Sequence, residues 1–241
     1  NSSELVSNWL ENVVVLDAGW EDGIRRFIIY EYSSLSRPVR MLTDTTIRSE
    51  GGISSQVERK YYYAGSYAEV IKRISTKYKD GSLSQVEYKY PFDISTATPG
   101  SATDEAWGYY KMTTKNIIGS PVQVVNKYAL PGQPYRITGA SFNTFLEVGT
   151  NIAPYHTYAL EIEDPIAEGT LAEVSTNYSV SPVRLEYDDR FELETTSRYY
   201  TDGSLWYTIA PDGTRTDYTW GYNNSLITSE TVNSEFTTTY T

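Results

Sequence analysis

The chain has 241 residues, ample for a hydrophobic core without covalent staples, and its single histidine and lack of cysteine exclude disulfides, thiolate metal sites and a cysteine nucleophile. A formal net charge of −11 argues against nucleic acid, whose binding rests on Lys and Arg neutralising phosphates. With 23 Tyr and a surplus of Thr, Ser and Val, the composition favours pleated, half-buried strands. No apolar run approaches the ~18 residues needed to span a membrane, so no transmembrane segment is expected.

In chain order, Val13-Val14-Val15-Leu16 reads as a buried strand ending at Asp22-Gly23, followed by strands at Ile24 to Tyr32 and Pro38 to Thr43. Glu50-Gly51-Gly52 breaks the pattern and predicts a surface loop from Thr45 to Ser55. Gln56 to Tyr63 and Tyr67 to Tyr78 read as strands, and Asp80-Gly81 turns the second of them into Leu83 to Tyr90. Ala68, Val70, Ile74 and Tyr78 share one parity, which predicts a hairpin with one packed face. Pro91 to Gly100 reads as a loop, and Thr103 to Lys115 as the one helix, capped by Ser101 and Asp104. Trp107, Tyr110 and Thr114 form the apolar stripe of that helix.

Strand patterning then returns over Val122 to Leu130, Tyr135 to Val148, Tyr155 to Ile162, Leu171 to Val180, Pro182 to Tyr187 and Phe191 to Tyr200. Two Asp-Gly pairs, Asp202-Gly203 and Asp212-Gly213, stand one strand plus one turn apart. Glycine adopts the positive φ of a tight turn cheaply, so three or four strands meander here before Leu226 to Tyr240 closes the chain. The expected fold is all-β: a mainly antiparallel meander of roughly 14 to 16 strands, with one short helix near 103–115. The hairpins are expected to form a large curved sheet or shell-like strip. No linker divides the chain, so a single β domain over 1–241 is expected, with a candidate seam at 91–120.

Three segments carry a family resemblance: Tyr30-Glu31-Tyr32-Ser33-Ser34-Leu35-Ser36-Arg37-Pro38-Val39; Pro211-Asp212-Gly213-Thr214 with Tyr218-Thr219-Trp220-Gly221-Tyr222-Asn223; and Tyr90-Pro91-Phe92-Asp93 with Tyr110-Lys111-Met112, Asn116 and Ser120-Pro121-Val122. Together they resemble the bacterial RHS/YD-repeat proteins. Ser33 and Ser36 replace the Asp and Gly of the repeat signature, and Asp164-Pro165-Ile166-Ala167 lacks the Gly of the family's self-cleaving motif. The resemblance implies a non-catalytic scaffold on an exported bacterial protein, at the cell surface or outside it. Its implied partner is an unidentified protein or glycan.

Candidate sites are few. His156 would have to carry any Ser-His-Asp triad, and no Gly-x-Ser-x-Gly elbow accompanies it. Glu161 and Glu163 would share a strand face beside Asp164, and Asp188-Asp189 is a second acidic pair; paired carboxylates serve glycosidases or Ca²⁺. The commoner reading of both is a solvated edge or turn. No catalytic residue, cofactor or metal site is assigned. The aromatic ladders Tyr61/Tyr63, Tyr88/Tyr90 and Tyr218/Trp220/Tyr222 stiffen a sheet, or present rings on which sugars stack. Trp206, Trp220 and Tyr222 are the candidate ligand-binding residues, and a carbohydrate-binding module is the alternative function. A glycan-active enzyme using the carboxylates is a third reading.

Overall fold

The computed structural model describes residues 13–21, 24–31, 40–50, 53–64, 70–95, 97–102 and 105–240. In chain order the elements are β1 (Val13–Glu21), β2 (Ile24–Glu31), β3 (Arg40–Glu50), β4 (Ile53–Tyr63), β5 (Ile71–Tyr78), β6 (Leu83–Lys89), α1 (Pro91–Ile94), α2 (Trp107–Thr114), β7 (Gln123–Ala129), β8 (Arg136–Val148) and β9 (Asn151–Leu160). There follow β10 (Ile166–Ala167), β11 (Ser175–Asn177), β12 (Arg184–Glu186), β13 (Phe191–Tyr199), β14 (Leu205–Ile209), β15 (Arg215–Gly221), β16 (Leu226–Val232) and β17 (Phe236–Thr239). Among the described residues strands far outnumber helices, so the protein is all-β, mainly an antiparallel meander. None of the described helices is long and apolar enough to cross a membrane.

Residues fall into two compact units. The first comprises the described residues within 1–88, 125–138 and 165–168. In it β1 to β6 pair in succession, each antiparallel to the next, with Val15 opposite Ile29, Ile28 opposite Asp44 and Ile74 opposite Val86. The expected loop at Thr45 to Ser55 is not one: β3 runs to Glu50 and β4 begins at Ile53, with Glu50 opposite Ile53. Polar Thr, Ser and Arg side chains do not end a strand whose backbone is paired to neighbours on both edges. Gly51 and Gly52 lie outside the described residues, as do Asp22-Gly23, the segment 32–39 and residues 65–69.

The β5–β6 hairpin is present, but its burial is not one-sided. Thr76 and Gln85 are buried, whereas Tyr78 is 38 % exposed. Within the same unit Lys127 reaches Glu87 at 2.6 Å and Glu168 at 2.7 Å, with its side chain only 8 % exposed. Burial disfavours that charge, but the two carboxylates outweigh burial and hold the ammonium above its ordinary pKa. At the far end of β4, the Tyr61 hydroxyl donates to Asp44 at 2.8 Å, and burial together with that carboxylate pushes the phenol up to about 12.

The second unit comprises 89–124, 139–164 and 169–241. Here β8 pairs with β9, β9 with β13, and β13 to β17 follow as hairpins, while β11 and β12 form a separate two-stranded ladder. Its core is built round Phe142, 1 % exposed, whose ring lies 4.5 Å from Tyr158, 4.9 Å from Tyr187 and 5.0 Å from Phe191. Tyr109 of α2 is fully buried and its hydroxyl donates to the Asn143 carbonyl at 2.6 Å.

Both helical expectations need correction. α2 starts only at Trp107, with Ala106 at the N-cap and no side-chain cap. Ser101 lies too far back to cap it, and Asp104 is outside the described residues. Tertiary bonds hold the entry instead: the Glu105 amide donates to Val183 O at 3.1 Å, and Glu105 Oε2 accepts from the Leu185 amide at 2.7 Å. The buried face is Gly108, Tyr109 and Met112, not the Trp107–Tyr110–Thr114 stripe. A second helix, α1, occupies the start of the expected 91–100 loop. Pro91 opens it with a fixed φ, and the Asp93 carboxylate accepts the Tyr90 amide at 2.8 Å. The strands expected at 171–180 and 182–187 contract to the short β11 and β12.

One turn design recurs three times. In Asp80-Gly81-Ser82 the carboxylate Oδ1 accepts both the Ser82 amide, at 2.9 Å, and its hydroxyl, at 2.6 Å. Asp202 holds Ser204 in the same way at 2.9 and 2.7 Å, and Asp212 holds Thr214 at 2.8 and 3.0 Å. Each glycine sits at positive φ, +84°, +93° and +85°, and donates to the carbonyl three residues back. The Ser82 hydroxyl and amide lower the Asp80 pKa, and the Ser204 and Thr214 amides and hydroxyls do the same for Asp202 and Asp212. A Cβ at Gly213 would meet nothing within 4 Å, so the cost of Gly213→Ala is purely conformational. That substitution is expected to lower stability by about 1 kcal/mol, read as a melting temperature roughly 2–4 °C lower. Unchanged melting would mean that the turn does not require left-handed backbone.

Candidate functional site

The second unit holds a cleft of about 490 Å³, within the ordinary range for small-molecule sites. One wall comes from the entry to α2, which supplies Glu105 and Trp107; the facing wall comes from β9, with Tyr155, His156 and Tyr158. Thr144 and Phe145 of β8 form the floor, and Leu185 and Tyr187 the remaining side.

Two features of the backbone create it. Gly108 lets α2 lie directly on β8: a Cβ there would stand 2.2 Å from the Phe145 carbonyl oxygen. The second feature is a register shift between β8 and β9. Asn143 stands opposite Thr157 but Phe145 opposite Pro154, so both Tyr155 and His156 oppose the single residue Thr144. This is a β-bulge, which re-aims side chains out of strict alternation. The Thr144 hydroxyl accepts the His156 amide at 3.1 Å, and the rings of Tyr155 and His156 stack at 3.7 Å although the residues are adjacent in sequence. A matching shift on the other edge of β9 sets Leu193 opposite Tyr158 and Thr195 opposite Thr157.

Local electrostatics leave the cleft close to neutral. Glu147 accepts the Trp107 indole N–H at 3.2 Å and faces Lys111 at 3.4 Å and Lys115 at 3.3 Å. Those donors, the indole first, hold its carboxyl below the usual range. Burial, and then the Arg198 charge, push the His156 imidazole down, so it is neutral at pH 7. Its Nδ1 lies 3.5 Å from the Tyr158 hydroxyl, and burial raises the Tyr158 pKa and keeps that phenol protonated. The arrangement offers aromatic walls, neutral donors and acceptors, and two carboxylates, Glu105 and the lysine-paired Glu147.

The candidates read from sequence are dispersed. Trp206, on β14, is 42 % exposed and packs on Tyr200 at 5.5 Å and Tyr207 at 4.9 Å. Trp220, on β15, is half-buried and its indole N–H donates to the Leu205 carbonyl at 2.6 Å. It lines a shallow hollow with Asp202, Ser204, Asn223 and Asn224. Tyr222 does not continue the Tyr218/Trp220 alternation: β15 ends at Gly221, and Tyr222 turns at φ +50° with 77 % of its surface exposed. Tyr90 likewise leaves its ladder with Tyr88, since β6 ends at Lys89 and Tyr90 caps α1.

Glu161 and Glu163 do not share a strand face, because β9 ends at Leu160; both are exposed, as is Asp164. Among the described residues no three His, Asp or Glu side chains converge as metal ligands. Asp188 is a structural anchor. It grips Arg190 through Nε at 2.7 Å and Nη2 at 2.9 Å, and also accepts the Ala172 amide at 2.9 Å. His156 and Glu105 are brought into one cleft although 51 positions separate them, 156 − 105, and Pro154 is the sequence mark of the bulge that does it.

Gly108→Ala is expected to destabilise the second unit by roughly 1–3 kcal/mol, since a backbone carbonyl cannot yield as a side chain can. Near-UV circular dichroism and a melting curve would register it; native melting would show that α2 shifts freely on β8. The Arg190 side chain first, then the Ala172 and Arg190 amides, hold the Asp188 carboxyl well below the usual range. A depressed folded-state pKa contributes stability that is complete above the unfolded value, about 4, and is lost as pH falls below it. Asp188→Asn is therefore expected to cost about 1–3 kcal/mol at neutral pH and to flatten the loss of stability below roughly pH 4. Melting temperatures at several pH values measure both effects.

A scan of the chain against protein-family models found no match, and a search of curated proteins found none either.

Proposed function

We propose that this chain is a non-catalytic interaction scaffold of an exported bacterial protein, built in the manner of an RHS/YD-repeat segment. The observation that carries the reading is the recurrence of one hairpin turn, with the same carboxylate bonds, at Asp80, Asp202 and Asp212 across both units. A repeated strand-turn-strand unit extends a surface by adding neighbours, which is how quasi-one-dimensional scaffolds grow. The turn carboxylates are committed to their own backbones, which supports a structural use of the acidic residues over a chemical one.

A carbohydrate-binding module is the second reading, and the cleft under α2 favours it, because rings and neutral polar groups converge there. Either reading expects no turnover of glycans. The test has two arms in the native bacterium and in purified protein. Protease added to intact cells is expected to cut the chain; cutting only after lysis would overturn export. Incubation with a broad panel of glycans is expected to release no product. Release that vanishes in Glu105→Gln or Glu161→Gln would replace the scaffold with an enzyme.

A further inference from the structure

We infer that the cleft under α2, and not the Trp206, Trp220 and Tyr222 surface, is a binding site for a neutral saccharide of one or two rings. The inference rests on the carbohydrate-binding reading and assigns it a place and a ligand charge.

Size comes first: about 490 Å³ admits a small sugar while leaving an open mouth for exchange. Recognition of a sugar needs rings against its C–H faces and polar groups for its hydroxyls. Trp107, Tyr155 and Tyr187 supply the rings, and Glu105, His156 and Tyr158 the polar groups. Glu105 uses Oε2 for the Leu185 amide, and its Oε1 has no hydrogen-bond partner among the described residues. A single carboxylate oxygen can accept from two sugar hydroxyls, and the neutral imidazole and protonated phenol can each donate or accept.

Charge selects among ligands. A cationic ligand would be repelled by the two cations that already stand beside the rings of the cleft. Lys111 lies 4.7 Å from the Trp107 ring and Arg198 4.6 Å from the Tyr155 ring. An anionic ligand would face Glu105 and Glu147 on a chain of net charge −11. A neutral polyol meets neither objection. The bulge provides the geometric support, since it turns Tyr155 and His156 to the same side and delivers a ring and a hydrogen-bonding group together. By contrast, Trp206 packs on its neighbours and Trp220 lines a separate hollow.

Calorimetric titration with lactose, cellobiose, maltose and chitobiose tests the assignment, with tetramethylammonium and glucuronate as charged controls. At least one neutral disaccharide is expected to bind. Glu105→Gln, which keeps an acceptor for the Leu185 amide, is expected to weaken it about tenfold or more with unchanged melting. Should that variant melt lower, His156→Asn gives the second reading of the same loss. Trp206→Ala and Tyr222→Ala are expected to leave affinity within twofold. If the native chain binds none of the sugars, the carbohydrate reading and the cleft assignment fall together. If it binds one, and Tyr222→Ala or Trp206→Ala abolishes binding while Glu105→Gln and His156→Asn do not, the module reading stands and the cleft assignment fails. Tighter binding of either charged control overturns the choice of a neutral ligand.

Discussion

The approach of α2 to β8 at Gly108 is the constraint on which the second unit turns. No side chain separates that helix from the Phe145 carbonyl, and a Cβ at 2.2 Å would lift the helix away. Contact at this distance lets the Tyr109 hydroxyl reach the Asn143 carbonyl and sets its ring edge-on to Phe145 at 5.8 Å. A buried hydroxyl with a satisfied partner fixes the helix in one rotational setting, because any other would strand the donor. The rest of the wall follows from that setting. Trp107 and Glu105 arrive at the mouth of the cleft, and Lys111 and Lys115 arrive over Glu147, which neutralises the carboxylate that β8 presents. Short helices are weak by themselves, so α2 depends on this packing more than on its own propensity.

The opposite wall depends on the ladder being broken once on each edge of β9. A regular strand would send Tyr155 and His156 to opposite faces of the sheet. The extra residue on β9 against β8 places both opposite Thr144, and the extra residue on β13 lets the next pair recover its register. Thr144, 8 % exposed, stabilises the irregularity by accepting the amide that the regular ladder would have used. Helix and bulge thus solve one problem from two sides: each puts polar side chains where an unbroken, helix-free sheet would put only a flat face.

The architecture was legible in the sequence because it is written in local chemistry. Asp-Gly-Ser/Thr states the turn, the glycine supplying positive φ and the carboxylate an acceptor for the amide two residues on, and β13 to β15 follow from their spacing. Other features depend on partners far along the chain. Alternation cannot reveal that β3 and β4 continue through Thr, Ser and Arg, since pairing and not polarity sustains them. α2 begins at Trp107 because Val183 and Leu185 bind Glu105, and nothing near residue 101 announces it. α1 did carry a local mark, Pro91 followed by Asp93, which a reading of proline as a loop signal overrides. Pro154 is a similar case: within a run of strand residues it marks a bulge, and the cleft could have been sought beside it. Tyr222 failed the alternation for an opposite reason, since its strand ends one residue earlier and the chain turns left-handed through Asn223 and Asn224.

The same distinction explains where the charge goes. With 31 acidic residues against 20 basic ones, at least 11 carboxylates (31 − 20) cannot each have a cation of their own, and close acidic pairs in the sequence carry little information. The structure answers by pairing carboxylates with amide hydrogens. Asp80, Asp202 and Asp212 each hold a turn, Asp93 caps a helix, and Asp188 fastens Ala172 as well as Arg190. A carboxylate bound to backbone donors is stabilised as the anion and removed from chemistry in one step. Glu105 differs in its surroundings: it accepts the Leu185 amide through Oε2, and it stands where the bulge and the helix have gathered rings. In a chain that uses acid to draw its turns, the informative carboxylate is the one that stands among rings in a cleft.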